Sequence, residues 1–399
     1  MKHLYIFDIP SSSANNGIGT YIKQVVEMVR RWKDFQVSMI MLQTNAEAFF
    51  VGSYKGMEHF FFPQSSSAYY QDTSEEVCSA LVCHVDDSKE TVFLLNYAPC
   101  EKLLTALKKT FPKSTCIFVI HDMSWTKPFM GDVEAFKAFA SRKDKAVEQE
   151  KLLSSFLREK EQFAIADKVV CLCEDTLELL TTVYGVPSKK VFLIPNNSEI
   201  RDPLSMREKQ KIRKAKHLGS EKILLSVGRI SKPKGFFDFL EAFKQLLDHG
   251  YNVRWVIAGD LCNAPPFLKK AGNAITKITL TGILEAEELY QWYQIADIGI
   301  IPSYFEQFGY AGLEMMTNKL PIVASDGFGV RCMFSECENA LVATLGEGET
   351  YYQEMLFKRT AELLKDKPLQ KRFKKNGLLV LKERYNRLLF EQEYKQLLI

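Results

Sequence analysis

The sequence lacks the features that mark membrane, secreted and zinc-binding proteins. No segment approaches the roughly 18 uninterrupted apolar residues that a membrane-spanning helix requires. Near the start of the chain, Asp8 interrupts the apolar run that a secretory signal peptide would need. The nine cysteines are scattered and form no C-x-x-C pair, which argues against a disulfide framework and a zinc site. We therefore expect a cytoplasmic protein without a transmembrane segment.

A strong net charge is also missing, since the formal net charge is only +3. With no aromatic and basic strand motif either, nucleic-acid binding is not expected. The charge is uneven, because residues 1–200 hold 22 Lys and Arg against 25 Asp and Glu, whereas the remainder holds 30 against 24. The basic second half suits an anionic ligand. The acidic first half lacks the excess of basic residues that binds an anionic membrane surface. The sequence does not exclude peripheral membrane contact.

The chain is longer than one hydrophobic core usually supports, because it has 399 residues. Short apolar runs alternate with helical patterns, which indicates a parallel α/β fold. The strand candidates of the first half are L-Y-I-F-D-I, Q-V-S-M-I-M-L, T-V-F-L-L-N, C-I-F-V-I-H, K-V-V-C-L-C and K-V-F-L-I. Those of the second half are K-I-L-L-S-V, N-V-R-W-V-I-A, K-I-T-L-T-G, I-G-I-I-P-S and P-I-V-A-S-D.

A run of turn residues between positions 195 and 203 predicts a domain boundary. We expect residues 1–198 and 199–375 to form two doubly wound, Rossmann-like domains that face a central cleft, where ligands bind beyond the carboxyl ends of the strands. Residues 376–399 are predicted to form a C-terminal helix that packs back on the first domain. The polar region 132–166 has helical spacing and predicts one or two helices.

The turn after the first strand, S-S-S-A-N-N-G-I-G-T-Y, contains Gly17 and Gly19. Glycines there allow close approach of a ligand to the backbone, and the following helix offers N–H groups to an anionic or polar group. The third glycine of the dinucleotide fingerprint is missing. A ligand-binding turn and a simple strand-to-helix turn are therefore equally good interpretations.

The stretch S-V-G-R-I-S-K-P-K-G-F places Gly228 at a strand end, Arg229 beside it and Lys234 before the next helix. The two cations are suited to neutralising a diphosphate, Arg229 through a fork of donors and Lys234 as a point charge. Taken alone, the motif is explained as well by two solvated surface cations.

The stretch E-Q-F-G-Y-A-G-L-E lies between a strand and a helix pattern and contains two carboxylates, Glu306 and Glu314. The backbone N–H groups of Gly309, Tyr310 and Ala311 would meet phosphate oxygens at the helix N-terminus. Glu314 is placed to accept hydrogen bonds from ribose hydroxyls, and Glu306 from sugar hydroxyls, because ionised acceptors strengthen such bonds. In isolation, a capping carboxylate beside a solvated one would explain the pattern.

These motifs occur in a fixed order with V-I-A-G-D, L-T-G-I-L, I-A-D-I-G-I-I-P-S-Y-F and L-P-I-V-A-S-D-G-F-G. In this order the chain resembles the retaining, nucleotide-sugar-dependent glycosyltransferases of the GT-B fold, family 4 (group 1), of bacterial type. The resemblance covers most of residues 200–345. It is weaker in the first domain, where N-G-I-G-T-Y, F-V-I-H-D, A-D-K-V-V-C-L-C-E and V-F-L-I-P-N-N support it.

The sequence departs from the family pattern at two places. Asn196 and Asn197 stand where Asn-Gly is common, and F-E-Q-F-G replaces the frequent F-E-P-F-G. Asparagine tolerates the left-handed conformation that glycine adopts easily, and the second change keeps both carboxylates. Neither departure argues against activity.

The resemblance implies a role for each matched residue. Arg229 and Lys234 would hold the diphosphate, Glu306 would contact the donor sugar and Glu314 the ribose. His121, at the end of F-V-I-H-D, matches a position near the transferred sugar, although a lone histidine is otherwise more often a core or strand-end residue. The implied catalytic residues are Glu306, His121, Arg229 and Lys234. The implied donor-binding residues are Gly17, Gly19, Gly228, Arg229, Lys234, Ile283, Phe308, Gly309, Tyr310, Ala311 and Glu314.

The resemblance also implies the reaction, in which a hexose or N-acetylhexosamine passes from a nucleoside diphosphate sugar, expected to be UDP-linked, to a hydroxyl acceptor with retention. The first domain would bind the acceptor and the second the donor. No cofactor is expected beyond the donor, and no metal, because no D-x-D suited to metal and diphosphate appears.

The acceptor stays open among a glycan, a peptide or protein, and a lipid-linked sugar. First-domain loops at 52–70 and 68–88 are predicted to recognise the acceptor. The aromatic, serine-rich segment F-F-F-P-Q-S-S-S-A-Y-Y either lines an acceptor groove or packs as a loop, and we favour packing as a loop. Two other functions fit the same motifs. One is a noncatalytic nucleotide-sugar-binding partner of another transferase, and the other is a sugar-nucleotide epimerase on the same fold.

Overall fold

The computed structural model describes residues 1–14, 17–65, 70–142 and 150–399. The chain divides into two units, of which the first comprises Met1–Pro195 and Glu391–Ile399 and the second comprises Asn196–Phe390. The division at Pro195 lies three residues before the predicted boundary after residue 198. Each unit is built around its own sheet, and each is described separately.

The first unit contains an eight-stranded sheet. Its strands are β1 (Lys2–Asp8), β2 (Phe35–Thr44), β3 (Phe50–Tyr54), β4 (Met57–Pro63), β5 (Thr91–Leu95), β6 (Thr115–Val119), β7 (Lys168–Cys171) and β8 (Val191–Leu193). They lie in the order β3-β4-β2-β1-β5-β6-β7-β8. All neighbours are parallel except the β3–β4 hairpin at one edge. Strands β1, β5 and β6 are almost wholly buried, which explains their continuous apolar sequences.

Helices cover this sheet. They are α1 (Pro10–Ser13), α2 (Gly17–Val29), α3 (Ser74–Leu81), α4 (Glu101–Thr110), α5 (Val133–Ser141), α6 (Glu150–Ile165) and α7 (Glu174–Thr182), with short 3-10 helices at Tyr70–Thr73 and Ser188–Lys190. The polar region 132–166 therefore provides two helices, α5 and α6, while residues 143–149 lie outside the described part of the chain.

The second unit contains a six-stranded parallel sheet. Its strands are β9 (Lys222–Val227), β10 (Val253–Ala258), β11 (Ile278–Gly282), β12 (Ile298–Ile301), β13 (Ile322–Ser325) and β14 (Leu341–Ala343). Their order, β11-β10-β9-β12-β13-β14, is the 3-2-1-4-5-6 order of the dinucleotide-binding Rossmann fold. The predicted fold of two doubly wound domains with parallel sheets is confirmed.

The helices of the second unit pack around a core that includes Trp255, which contacts the rings of Phe239, Phe243 and Phe267. These helices are α8 (Met206–Ala215), α9 (Phe236–Asp248), α10 (Ala264–Ala271), α11 (Ala286–Ile295), α12 (Tyr310–Thr317), α13 (Glu349–Lys365) and α14 (Lys367–Arg384), with a 3-10 helix at Gly272–Lys277. The last helix of the chain, α15 (Arg387–Leu398), lies mostly in the first unit. No helix among the described residues has the length and apolar character needed to cross a membrane.

The single C-terminal helix predicted over 376–399 is wrong in its bounds. The chain forms α14 and α15 with a break at Tyr385, and α14 belongs to the second unit because Phe373 lies in its core and Gly377 packs on Met316. The segment Glu391–Ile399 belongs to the first unit, where the Tyr394 hydroxyl bonds the Tyr21 hydroxyl.

The acceptor loops predicted at 52–70 and 68–88 are largely regular structure instead. Strands β3 and β4 occupy much of the first, and α3 occupies part of the second. Phe60 and Phe62 are buried, so this part of the aromatic segment packs rather than lining a groove. Residues 66–69, which carry part of the serine-rich run, lie outside the described residues.

A buried carboxyl group anchors the segment that follows β6. Glu159, on α6, is 4% exposed; its Oε1 accepts from the Ser124 backbone N–H at 2.5 Å and its Oε2 accepts from the Tyr184 hydroxyl at 2.6 Å. Burial raises the pKa of Glu159 from 4.5 to about 7, and these hydrogen bonds oppose the rise. The folded chain therefore binds a proton at Glu159 at pH values where the unfolded chain has released it.

We predict that this carboxyl group makes the first unit less stable as pH rises from about 4.5 to 7, by about 3 kcal/mol, because over this range unfolding releases a proton that the folded state still holds. The variant Glu159→Gln should show a flatter dependence of unfolding free energy on pH, measured by urea denaturation. Glu161→Gln, an exposed neighbour on α6, is the matched control. A Glu159→Gln profile parallel to wild type would contradict the assignment.

Candidate active site

The carboxyl ends of β9 and β12 form a crevice in the second unit. Strands β9 and β12 are neighbours, but the sheet continues from β9 to β10 on one side and from β12 to β13 on the other. Ligands of open parallel sheets bind at such a switch point, because the loops diverge there. The pocket at this edge is lined by Val227, Phe236, Ile300, Ile301, Pro302, Ser303, Glu306, Phe308, Gly309, Ala311, Gly312, Val330, Met333 and Phe334.

Gly235 brings the loop after β9 directly onto the end of β12. It precedes α9 with a φ of 66°, and a Cβ atom placed on it would lie 1.7 Å from the carbonyl oxygen of Pro302. No residue with a side chain fits this position without moving one of the two segments. The contact fixes the position of Lys234, the residue before Gly235, relative to the loop after β12.

Lys234 and Glu306, both predicted site residues, are in direct contact. The Lys234 Nζ lies 2.5 Å from Glu306 Oε1, and the Ser303 hydroxyl donates to the same oxygen at 2.9 Å. The Glu306 backbone N–H donates to the carbonyl of Phe328 at 2.9 Å, which fixes the loop. Among the described residues Glu306 Oε2 has no hydrogen-bond partner. The site therefore presents a cation and a spare carboxylate oxygen side by side.

The N-terminus of α12 borders the same pocket. Gly309 precedes the helix with a φ of 74°, and no side chain of the described residues caps it. The first-turn N–H groups of a helix lack intrahelical acceptors and carry its positive dipole end. Gly309 and Ala311 line the pocket, as does Phe308, whose ring packs edge-on against Tyr385. Tyr310, the third predicted amide donor, begins the helix but is not among the lining residues.

Glu314 lies one turn further along α12 and is held by a residue that the sequence did not identify. The Tyr293 hydroxyl, on α11, donates to Glu314 Oε2 at 2.5 Å. Burial raises the pKa of Glu314, whereas the Tyr293 hydrogen bond and the positive charge of Arg201 lower it. Its Oε1 makes no hydrogen bond to any described residue, so one oxygen stays available to a ligand.

Arg229 is not joined to the Lys234–Glu306 pair. Its Nε lies 3.3 Å from Asp260 Oδ2, and both side chains are largely exposed. Gly228 and Gly259 bring the ends of β9 and β10 together, because a Cβ atom on Gly259 would lie 2.2 Å from the Gly228 carbonyl oxygen. Arg229 thus sits at the rim of the carboxyl edge.

Ile283, directly after β11, is 56% exposed and does not line the pocket. Its predicted place in the donor site stays a prediction.

The remaining predicted residues belong to the first unit. Gly17 begins α2, and a Cβ atom on Gly19 would lie 2.3 Å from the carbonyl oxygen of Ser13, so Gly19 allows α2 to pack on α1. This contact favours the structural interpretation of that glycine; residues 15 and 16 of the motif lie outside the described residues. His121 follows β6, where its Nε2 lies 3.1 Å from Asn96 Oδ1.

The described residues contain no group of three His, Cys, Asp or Glu side chains arranged to hold a metal ion. Independence of metal stays a prediction that requires a kinetic test.

Comparison with known proteins identifies the second unit. Residues 208–379 match the family model described as Glycosyl transferases group 1. The alpha-D-kanosaminyltransferase of Streptomyces kanamyceticus is 28% identical over 148 residues, which cover 37% of this chain and 38% of that protein. The chain thus matches about two fifths of the length of this relative.

Solved structures match the whole chain. The sucrose-phosphate synthase of Thermosynechococcus elongatus superimposes with a TM-score of 0.77 at 18% identity, over 100% of this chain and 98% of that one. Anabaena HepE, solved in complex with UDP and glucose, superimposes with a TM-score of 0.72 at 16% identity, over 100% and 99%. These likenesses show that the fold is GT-B.

We predict that Gly235→Ala destabilises the second unit by more than about 2 kcal/mol, because the new Cβ atom would clash with the Pro302 carbonyl. Gly250→Ala is the matched control, since Gly250 has a similar φ of 76° but no atom of the described part of the chain lies within 4 Å of the place that a Cβ atom would take. The control should lose only the roughly 1 kcal/mol that the left-handed conformation costs. Equal losses by thermal or urea unfolding would show that the close approach does not matter.

Proposed function

We propose, from the group 1 glycosyltransferase domain that makes this chain a member of that family, that the protein is a retaining hexosyl- or N-acetylhexosaminyltransferase. It takes the sugar from a nucleoside diphosphate donor and passes it to a hydroxyl acceptor. The observation that carries the proposal is the contact of Lys234 with Glu306 at the switch point of the second sheet, beside the N-terminus of α12.

Charge development in the reaction explains the need for these groups. The bond from the anomeric carbon to the leaving phosphate oxygen breaks, and its electron pair leaves with the diphosphate. The acceptor oxygen bonds to the anomeric carbon on the same face, and its proton passes to the leaving phosphate. Lys234, Arg229 and the first amides of α12 would stabilise the negative charge that develops on the diphosphate.

Binding of the donor would rearrange the ion pair. The diphosphate offers Lys234 a stronger partner than a single carboxylate does, because it carries more charge. Glu306 Oε1 would then keep the Ser303 hydrogen bond, and the carboxylate would accept hydrogen bonds from hydroxyls of the donor sugar. Glu314, held by Tyr293 through one oxygen, would use the other for the ribose.

The choice of UDP as the nucleotide rests on similarity. Anabaena HepE, which shares this fold, was solved with UDP and glucose. The acceptor, whether a glycan, a peptide or protein, or a lipid-linked sugar, follows from no residue described in the structure. We propose a cytoplasmic enzyme that requires neither a metal nor a cofactor beyond the donor.

A donor panel tests this function. We expect that UDP-sugars raise the melting temperature and release UDP slowly by hydrolysis, in buffer with EDTA and no metal, whereas GDP-, TDP- and ADP-sugars do so less. Loss of activity in EDTA with recovery in Mn²⁺ would contradict metal independence. Binding without release or transfer would favour the noncatalytic partner, and conversion of the donor to an isomer without acceptor would favour the epimerase.

Two variants should separate the assigned roles. Glu306→Gln should lower turnover by about 10- to 100-fold while UDP affinity changes little. The substitution removes a charged hydrogen-bond acceptor that would contact the donor sugar and not the nucleotide. Arg229→Ala should weaken both UDP affinity and turnover, since it removes a positive charge that would stabilise the diphosphate. Isothermal titration with UDP and steady-state kinetics give the two quantities.

The matched controls for these variants are Glu354→Gln and Lys358→Ala. They remove the partners of an exposed ion pair on α13, whose side chains are 53% and 59% exposed. Both should behave as wild type. Unchanged turnover in either Glu306→Gln or Arg229→Ala would contradict the role assigned to that residue.

A further inference from the structure

The first sheet has its own switch point, which lies between β1 and β5. Strand β1 leads to β2 on one side of the sheet, whereas β5 leads to β6 on the other. Asn96 directly follows β5, and His121 follows its parallel neighbour β6. The carboxyl ends of these strands lie at one edge, so the two side chains meet although they are 25 residues apart in sequence.

The orientation of the Asn96 amide is fixed by the backbone of β1. The Asn96 Nδ2 lies 3.1 Å from the carbonyl oxygen of Phe7. A carbonyl oxygen only accepts hydrogen bonds, so the Asn96 atom facing it must be the NH₂ group. Asn96 is 2% exposed, so hydrogen bonds to bulk solvent do not determine the orientation of its amide. Its Oδ1 therefore faces His121.

The Asn96 orientation in turn fixes the tautomer of His121. Oδ1 of Asn96 is an acceptor and lies 3.1 Å from His121 Nε2, so Nε2 must carry the proton. Nδ1 then holds a lone pair. Burial lowers the pKa of His121 to about 3, with no charged group contributing to the shift, so the ring is neutral throughout the physiological range.

The Nδ1 atom of His121 has no hydrogen-bond partner among the described residues. The ring is otherwise held by Tyr21, whose ring meets it edge-on at a centroid distance of 4.8 Å. A neutral imidazole with an unpaired lone pair accepts a hydrogen bond from a hydroxyl but has no proton to offer at that nitrogen. This chemistry suits a sugar hydroxyl and does not suit a phosphate.

We propose that Asn96 is a positioning residue that locks His121 in the Nε2–H tautomer, so that Nδ1 accepts a hydrogen bond from a substrate hydroxyl. The identity of the hydroxyl as one on a sugar rests on the proposed function. The tautomer itself does not, because it follows from Phe7, Asn96 and His121 alone.

The direct test is a nitrogen NMR spectrum of ¹⁵N-histidine-labelled protein without donor. His121 signals are assigned by their loss in His121→Gln. We expect wild-type protein to show a protonated Nε2 and an unprotonated Nδ1 at His121, unchanged between about pH 5 and 8. A protonated Nδ1, or a ring that titrates in this range, would overturn the proposal even if no variant can be prepared.

Two substitutions at Asn96 extend the test. Asn96→Ala removes the acceptor for Nε2–H, so the His121 signals should shift toward a mixture of tautomers. Asn96→Asp keeps an acceptor and adds charge, so His121 should form imidazolium at a higher pH than in wild type. Asn252→Ala, in which an exposed side chain loses its bond to Ser220, is the control and should leave the spectrum unchanged. A wild-type tautomer in Asn96→Ala would contradict the positioning role.

Kinetics then connect the tautomer to substrate. In Asn96→Ala, kcat/KM for the donor found in the panel should fall about tenfold, the size expected for one hydrogen bond, with UDP affinity unchanged. A correct tautomer with no kinetic effect would refute the contact with a substrate hydroxyl but not the tautomer. Absence of any donor turnover would count against the proposed function and leave the NMR result standing.

Discussion

The close approach of Gly235 to the Pro302 carbonyl controls the geometry of the second-domain site. It joins the loop that follows β9 to the end of β12, the two strands between which the sheet reverses its order. Lys234 is carried on one of these segments and Glu306 on the other. Backbone packing therefore places the two side chains within reach of each other.

The two switch points use the same topology for different chemistry. In the second unit, Lys234, Arg229 and the N-terminus of α12 provide positive charge, which suits a diphosphate. In the first unit His121 is a neutral acceptor, and the Asp8 carboxylate at the end of β1 accepts from the Tyr97 and Ser13 hydroxyls at 2.7 and 3.1 Å. The edge of the first sheet therefore offers hydrogen-bond acceptors, whereas the edge of the second offers cations.

Much of the fold followed from the sequence, because buried parallel strands carry continuous apolar runs that stand out between helical patterns. The three-residue β14 was missed because so short a run has no period. The β3–β4 hairpin was interpreted as a loop because its aromatic residues are mixed with glycine and serine.

The residues of the candidate site differ in how far the sequence could indicate them. Glu306, Glu314 and Lys234 could be named as candidates because they belong to short motifs in a fixed order. Tyr293 and Asn96 could not, because each acts through a residue more than 20 positions away and the contact exists only after the strands and helices have packed.

The Lys234–Glu306 pair also explains how two charged side chains are accommodated in a partly buried site. Both side chains are partly buried, and an unpaired charge in such a place would cost free energy. Each neutralises the other, and the Ser303 hydroxyl donates to the same carboxylate oxygen. In the proposed reaction, a diphosphate that binds Lys234 would take this partner from Glu306, and hydroxyls of the donor sugar would replace it.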